Sequence, residues 1–396
     1  MNRRQFVASS SALAIGSLAR SSWSRDSPAG AQGSSTSSGQ HRVIIDTDPG
    51  YDDALALLFA MSSPELKIEA ITAVAGNGPI EVTLANSLRM VEIAGRTDIP
   101  VARGAGAPLF RQLVSGTEFH GENGLAGAEF PPPETKVADL PAPELIRRLV
   151  RAHPGEVTIF PIGPHTNIAT ALLADPSLAG MIPRIVMMGG SLSGGNTTPA
   201  AEFNVYVDPE AARVVFHSGI PITMVGLDVT DKVLLKEDHV RALEASDTPV
   251  SQAAAKIARA VTEWYRNQGY VSGPIMHDPL AVAAFLDPQL LRFEQFYIDV
   301  ETSGDVTAGE TVAYSPIHGE SQHWLTPDAP HSGSRDPAYY RPPRIRGSAP
   351  SIYRPGSSSF FTTSYRPNAE AALDVNAEAF FRPLIGRLSG KRVDSN

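Results

Sequence analysis

Val43-Ile44-Ile45-Asp46-Thr47-Asp48-Pro49-Gly50-Tyr51-Asp52-Asp53-Ala54 holds both the fold and the chemistry of this chain. The β-branched run Val43 to Ile45 reads as a buried strand. Pro49-Gly50 forces a turn, and Ala54 to Ser62 has the apolar content of a packed helix. Four carboxylates therefore stand where a strand ends and a helix begins. Asp46 and Asp48 are two apart and share a face if the strand runs through both. Asp52 and Asp53 open the helix, where the dipole favours negative charge but cannot offset all four. A hard divalent cation would offset them, and oxygen-only donors suit calcium or magnesium. For any single Asp the plain alternative is a helix cap or a turn hydrogen bond. An EF-hand loop is excluded, because Tyr51 stands where its Gly belongs and Leu57 where its closing acid belongs. An Asp-x-Asp phosphatase with magnesium is a rival, but it leaves the Asp52-Asp53 pair without a role.

Working outward, short β-branched runs alternate with longer helical ones: Ile68 to Val74, then Ile80 to Ala94, and Val157 to Phe160 leading through Gly163-Pro164 into Asn167 to Ala174. Ile185 to Met188 ends in Gly189-Gly190, and Ile222 to Val225 ends in Gly226. This alternation predicts an α/β fold with an open, mixed, mostly parallel sheet and helices on both faces. Ligands of such sheets lie at the carboxyl ends of the strands, where the acidic run sits.

The chain has 396 residues, a formal net charge of -9 and no cysteine. Its acidic balance argues against a nucleic-acid surface. The missing thiols exclude disulfides, thiolate metal sites and cysteine nucleophiles. Met1-Asn2-Arg3-Arg4-Gln5-Phe6-Val7 followed by the mild apolar stretch Ala8 to Ala19 resembles a twin-arginine export signal, which implies a periplasmic or secreted protein. That stretch is too short for a stable membrane anchor. Residues 1–40 are read as this signal and a Ser/Gly-rich linker, and residues 41–390 as one domain. Within it, about 315–367 is rich in Pro, Ser and Tyr without apolar period, an insertion expected to be disordered. Regular texture returns at Ala371 to Val375, a strand, and Ala377 to Leu388, a helix.

Ile45 to Ala54 resembles the opening signature of the inosine-uridine preferring nucleoside hydrolases. The likeness continues through Gly76-Asn77, His120-Gly121-Glu122-Asn123-Gly124-Leu125, Gly163-Pro164-His165-Thr166-Asn167, Gly195-Asn196 to Ala201-Glu202-Phe203-Asn204, and His277-Asp278-Pro279. The resemblance implies the nucleoside hydrolase fold, calcium-dependent cleavage of the N-glycosidic bond of ribonucleosides to free base and ribose, and a part in purine or pyrimidine salvage. It implies a calcium held by Asp48, by both oxygens of Asp53, by Asp278 and by the Ile162 carbonyl, with Asp48 also the general base on a calcium-bound water. It places Asp52, Asn77, Asn196, Glu202, Asn204 and Asp278 around the sugar, Asn204 at the ring hydroxyls and Asn196 with Glu202 at the 5′ end. Carboxylates and amides suit closely spaced hydroxyls, and an acidic pocket suits an oxocarbenium-like transition state. His277 would protonate the leaving base or stabilise its charge. A homodimer or homotetramer is implied as well.

Two positions depart from the pattern. Asn123 replaces a frequent Asp, which bears on loop order or base preference. His165 stands where an apolar residue is expected, and is read as a loop residue rather than a proton donor. The base is expected to meet a loop near Trp264 to Tyr270, where Tyr265 or Tyr270 either stacks on it or serves only in ordinary helix packing. A rival outside catalysis is a periplasmic nucleoside-binding protein without turnover.

Overall fold

The computed structural model describes residues 40–270, 273–314 and 366–391. Residues 1–39 of the export signal and linker lie outside these residues, as does the segment 315–365 of the Pro-rich stretch. Among the described residues no helix is long and apolar enough to cross a membrane.

The strands are β1 (His41–Thr47), β2 (Leu66–Ala73), β3 (Val101–Arg103), β4 (Val157–Pro161), β5 (Ile185–Met188), β6 (Ile222–Val225), β7 (Leu291–Val300), β8 (Thr311–Tyr314) and β9 (Ala369–Val375). They form one sheet in the order β3-β2-β1-β4-β5-β6-β9-β7-β8. Every pairing from β3 to β9 is parallel, whereas β7 runs antiparallel to β9 and β8 antiparallel to β7. The mixed, mostly parallel sheet expected from the sequence is the sheet observed.

The helices that follow the strands are α1 (Tyr51–Met61), α2 (Ile80–Ile93), α3 (Thr117–His120), α4 (Ala142–Ala152), α5 (Thr166–Ala174), α6 (Phe203–Val207), α7 (Pro209–Phe216), α8 (Leu227–Thr230), α9 (Glu237–Glu244), α10 (Pro249–Asn267), α11 (His277–Leu286) and α12 (Ala377–Leu388). The alternation along β1 shows how they divide. Val43 and Ile45 join a core with Leu55 of α1, Val261 of α10 and Leu280 of α11. Ile44 faces the other way, into a core with Ile146 of α4, Ile168 of α5 and Val215 of α7. Burying both faces in this way is what lets β1 read as an unbroken apolar run.

The connections run outward from β1 to β2 and β3, then return to β4 on the other side of β1. The carboxyl ends of β1 and β4 therefore flank a topological switch point, where a crevice opens beyond the sheet. The register sets Asp46 beside Pro161, so the segments after Thr47 and after Pro161 leave the sheet side by side.

Candidate active site

Two helix N-termini converge on this crevice. Tyr51 opens α1 and His277 opens α11, with Asp52, Asp53 and Asp278 in their first turns. Carboxylate oxygens of these three residues all lie within 4.8 Å of one another, and all three side chains are buried. The backbone N–H of Asp278 donates to Asp52, tying the two helix ends together. Burial, and after it the charge of Asp53, pushes the Asp52 carboxyl well above its ordinary range. Asp278 is pushed up by burial and then by Asp52, Asp53 and Asp48.

Asp53 is the most fully bonded member. Its Oδ1 accepts from the Thr47 hydroxyl at 2.6 Å and from the Asp48 N–H at 3.2 Å, and its Oδ2 from the Gly50 N–H at 3.0 Å and the Asn77 amide at 2.9 Å. It thus caps α1 and belongs to the acidic cluster at once, so the two readings open at this position coexist.

Asp48 lies between two glycines. A Cβ on Gly76 would overlap its Oδ2, and a Cβ on Gly163 would overlap its Oδ1. Oδ2 accepts from the Asn77 N–H at 2.7 Å, while Oδ1 is buried without a hydrogen-bond partner among the described residues. Burial and then the charge of Asp53 raise this carboxyl well above the usual range. Asp46 keeps different company, because β1 ends at Thr47. Its Oδ1 accepts from the Thr72 hydroxyl and from the Asn167 amide, and burial lifts it to about 7.

Buried, mutually repelling, all-oxygen donors with one orphaned carboxylate oxygen fit a hard divalent cation. Asp53 and Asp278 belong to the tight carboxylate group, and Asp48 stands beside it, its N–H donating to Asp53 and its charge acting on Asp278. The geometry adds Asp52, assigned to the sugar by resemblance, to the tight carboxylate group. Ile162 follows β4 directly; its N–H donates to the Asp46 carbonyl at 2.8 Å, and its own carbonyl accepts from the Asn204 amide at 3.1 Å. Asn77 grips two of the acids, as above.

The remaining sugar candidates follow β5. Asn204 donates to the carbonyls of Ile162 and, at 3.2 Å, of Met188, spanning the ends of β4 and β5. Glu202 is the N-cap of α6: Oε1 accepts from the Asn204 N–H at 2.9 Å, and Oε2 from those of Gly190 at 2.9 Å and Val205 at 3.1 Å. Burial raises Glu202 to about 7. Asn196 is exposed on the same loop and accepts from the Phe203 N–H at 3.0 Å.

His277 bonds through Nδ1 to the Thr230 hydroxyl at 2.8 Å, and burial lowers it to about 4. Beside it stands His120, lowered to about 3 by burial and by facing His277. Both rings are therefore neutral near pH 7 and offer hydrogen bonds rather than a standing positive charge. The sequence singled out His277 but gave His120 no role; its Gly50 and Tyr51 neighbours are 69 residues away or more, beyond any local signal. Trp264 and Tyr265 stand on the last turn of α10 and not on the loop expected from the sequence, and Tyr270 just beyond it is half exposed. With Phe119 they form an aromatic wall.

The two departures also find their places. Asn123 organises its own loop, accepting from the N–H groups of Leu125 and Gly127 and donating to the Ala128 carbonyl. His165 is completely buried as the residue before α5, with neither ring nitrogen hydrogen-bonded among the described residues.

Comparison with known proteins accords with this geometry. The sequence profile described as inosine-uridine preferring nucleoside hydrolase matches residues 43–382. The pyrimidine-specific ribonucleoside hydrolase RihA of Escherichia coli (strain K12) is 45% identical over 272 residues, covering 68% of this chain and 87% of that protein. The plant nucleoside hydrolase PpNRh1 superposes with a TM-score of 0.73 at 29% identity, covering 88% of this chain and 99% of that one. The purine-preferring ribonucleoside hydrolase from Gardnerella vaginalis gives 0.72 at 27% identity, with 88% and 98% covered. A profile match over most of the chain, a relative this similar and an acidic cluster at the strand ends lead to one conclusion: the chain belongs to the inosine-uridine preferring nucleoside hydrolase family.

Proposed function

We propose that the protein hydrolyses the N-glycosidic bond of pyrimidine ribonucleosides, with calcium held by Asp48, Asp53, Asp278 and the Ile162 carbonyl. The observation that carries this reading is the buried Oδ1 of Asp48, unpartnered among the described residues, beside three clustered carboxylates. Bound calcium would neutralise the acids and polarise the attacking water. Asp48 would act as general base, its Oδ1 taking a proton from the attacking water, whose oxygen would bond to the anomeric carbon as the bond to the base breaks. Asp52, Asn77 and Asn204 hold the ring hydroxyls, with Glu202 and Asn196 at the 5′ end. Their negative charge and acceptors favour the positive sugar of the transition state over the neutral ground state. His277 and His120 offer N–H groups to the departing base, and Tyr265 and Tyr270 supply aromatic surface for it.

The preference for pyrimidines rests on the 45% identity to a relative of that specificity, against 27% for a purine-preferring one. The twin-arginine-type leader and the linker to residue 40 support export to the periplasm or beyond, with residues 41–390 acting as the catalytic domain of a homodimer or homotetramer. Base release from a panel of purine and pyrimidine ribonucleosides, with and without chelator, tests the activity. Release from uridine and cytidine that chelation lowers supports it; nucleoside binding without release by folded protein would replace it with a binding function.

A further inference from the structure

Tyr51 has no role in the chemistry above, yet its contacts converge on one catalytic group. Its buried ring stacks on the His120 imidazole, with centroids 4.8 Å apart and planes 24° from parallel. Its backbone N–H, one of the donors that α1 leaves unpaired in its first turn, points at His120 Nδ1 at 3.4 Å. Gly50 keeps this edge open, since a Cβ there would overlap Nδ1 and Cε1 of His120. With Nδ1 turned toward a backbone donor, the neutral ring carries its proton on Nε2. The Tyr51 hydroxyl lies 3.1 Å from that of Tyr265, whose ring also contacts Trp264 and Tyr270. One side chain thus bridges the histidine beside His277 and the aromatic wall at the end of α10.

We propose that Tyr51 is a positioning residue that fixes the orientation and the Nε2–H tautomer of His120, and ties that ring to the aromatic wall. The departing base then meets a donor already set in place, without a rearrangement in the transition state. Its effect on turnover rests on the hydrolase reading, whereas its effect on the His120 ring does not. Were Tyr51 purely structural, its removal would lower stability and slow the enzyme whether or not His120 were present.

The test compares Tyr51→Phe, Tyr51→Leu, His120→Ala and the double variant Tyr51→Leu/His120→Ala on uridine with calcium. Tyr51→Leu should lower kcat by about ten- to a hundredfold with a smaller change in KM, as expected for a misplaced catalytic group. Tyr51→Phe keeps the stacked ring and should lose less. The double variant should be no slower than His120→Ala alone; a loss equal to the product of the two single losses would overturn the proposal. Nitrogen-15 NMR of histidine-labelled, metal-free protein gives an independent reading. The His120 signal, identified by its loss in His120→Ala, should report the Nε2–H tautomer in wild type and a mixture in Tyr51→Leu, which keeps the backbone N–H but loses the stacked ring that holds Nδ1 toward it. An unchanged tautomer would also overturn the proposal. If wild type releases no base from any nucleoside the hydrolase reading fails, and the NMR comparison still decides the role of Tyr51.

Discussion

The carboxylate of Asp48 rests against the α-carbon of Gly163, and Oδ1 occupies the place a side chain would take. A methyl there would also come within 3.0 Å of Asp48 Cγ and of its backbone nitrogen, so a rotation of the carboxylate alone gives no relief. Gly163 lies outside the left-handed region, and alanine can adopt its backbone. Gly163→Ala should therefore fold, with an unchanged far-UV spectrum, and lose roughly a hundredfold in kcat through the displaced carboxylate. Wild-type turnover would show that Asp48 is not held as described.

Asp48→Asn separates chemistry from stability. Turnover should drop by about 10²- to 10⁴-fold as the base is removed. The metal-free protein should melt higher, because burial and the neighbouring Asp53 oppose an ionised carboxylate at this position. A lower metal-free melting point in the variant would contradict the electrostatic account.

Calcium should stabilise chelator-treated protein by about 2.7 kcal/mol at a hundredfold excess over Kd, read as a rise in melting temperature. Asp278→Asn, which removes one buried carboxylate from the cluster, should weaken this response. Equal stabilisation by magnesium would remove the case for calcium.

Glu202 sets a pH dependence whose sign follows from its burial. The carboxyl is raised from 4.5 to about 7, so its contribution to stability is complete below 4.5 and is lost as pH rises through 7. Wild type should thus lose stability relative to Glu202→Gln between those limits in urea denaturation. Parallel curves for the two proteins would mean that Glu202 stays ionised in the fold.

His165 has a simpler expectation. A completely buried imidazole whose two nitrogens have no partner among the described residues forgoes hydrogen bonds it makes in the unfolded chain. His165→Leu should stabilise the protein by about 1–3 kcal/mol and leave base release unchanged. A loss of activity at full stability would instead make His165 part of the site.

Most of the frame was legible because its signals are local. Val43 to Ile45 is β-branched, Pro49-Gly50 marks the turn, and Ala54 onward is apolar enough to be packed from both sides. β3 escaped because three residues carry no periodicity, and α3 because a four-residue helix has no face. In the site, the acidic run was visible as a cluster, but its internal division was not. Asp46 is drawn off by Thr72 of β2 and Asn167 of α5, partners that only the folded sheet supplies. Asp278 joined the cluster through resemblance alone. Tyr51 served the sequence reading only to exclude an EF-hand, since nothing near it announces His120.

The strand nearest the carboxyl terminus closes the sheet from within. β9 pairs with β6 on one side and β7 on the other. A ribosome translating this message therefore finishes every residue proposed to touch metal or sugar well before it finishes the strand that joins β6 to β7. Until Ala369–Val375 leaves the exit tunnel, β6 presents an open edge and the hairpin of β7 and β8 has no sheet to join. A message cut short just before Ala369 would encode all of the proposed chemistry and yield a protein prone to pair with its neighbours instead of with itself.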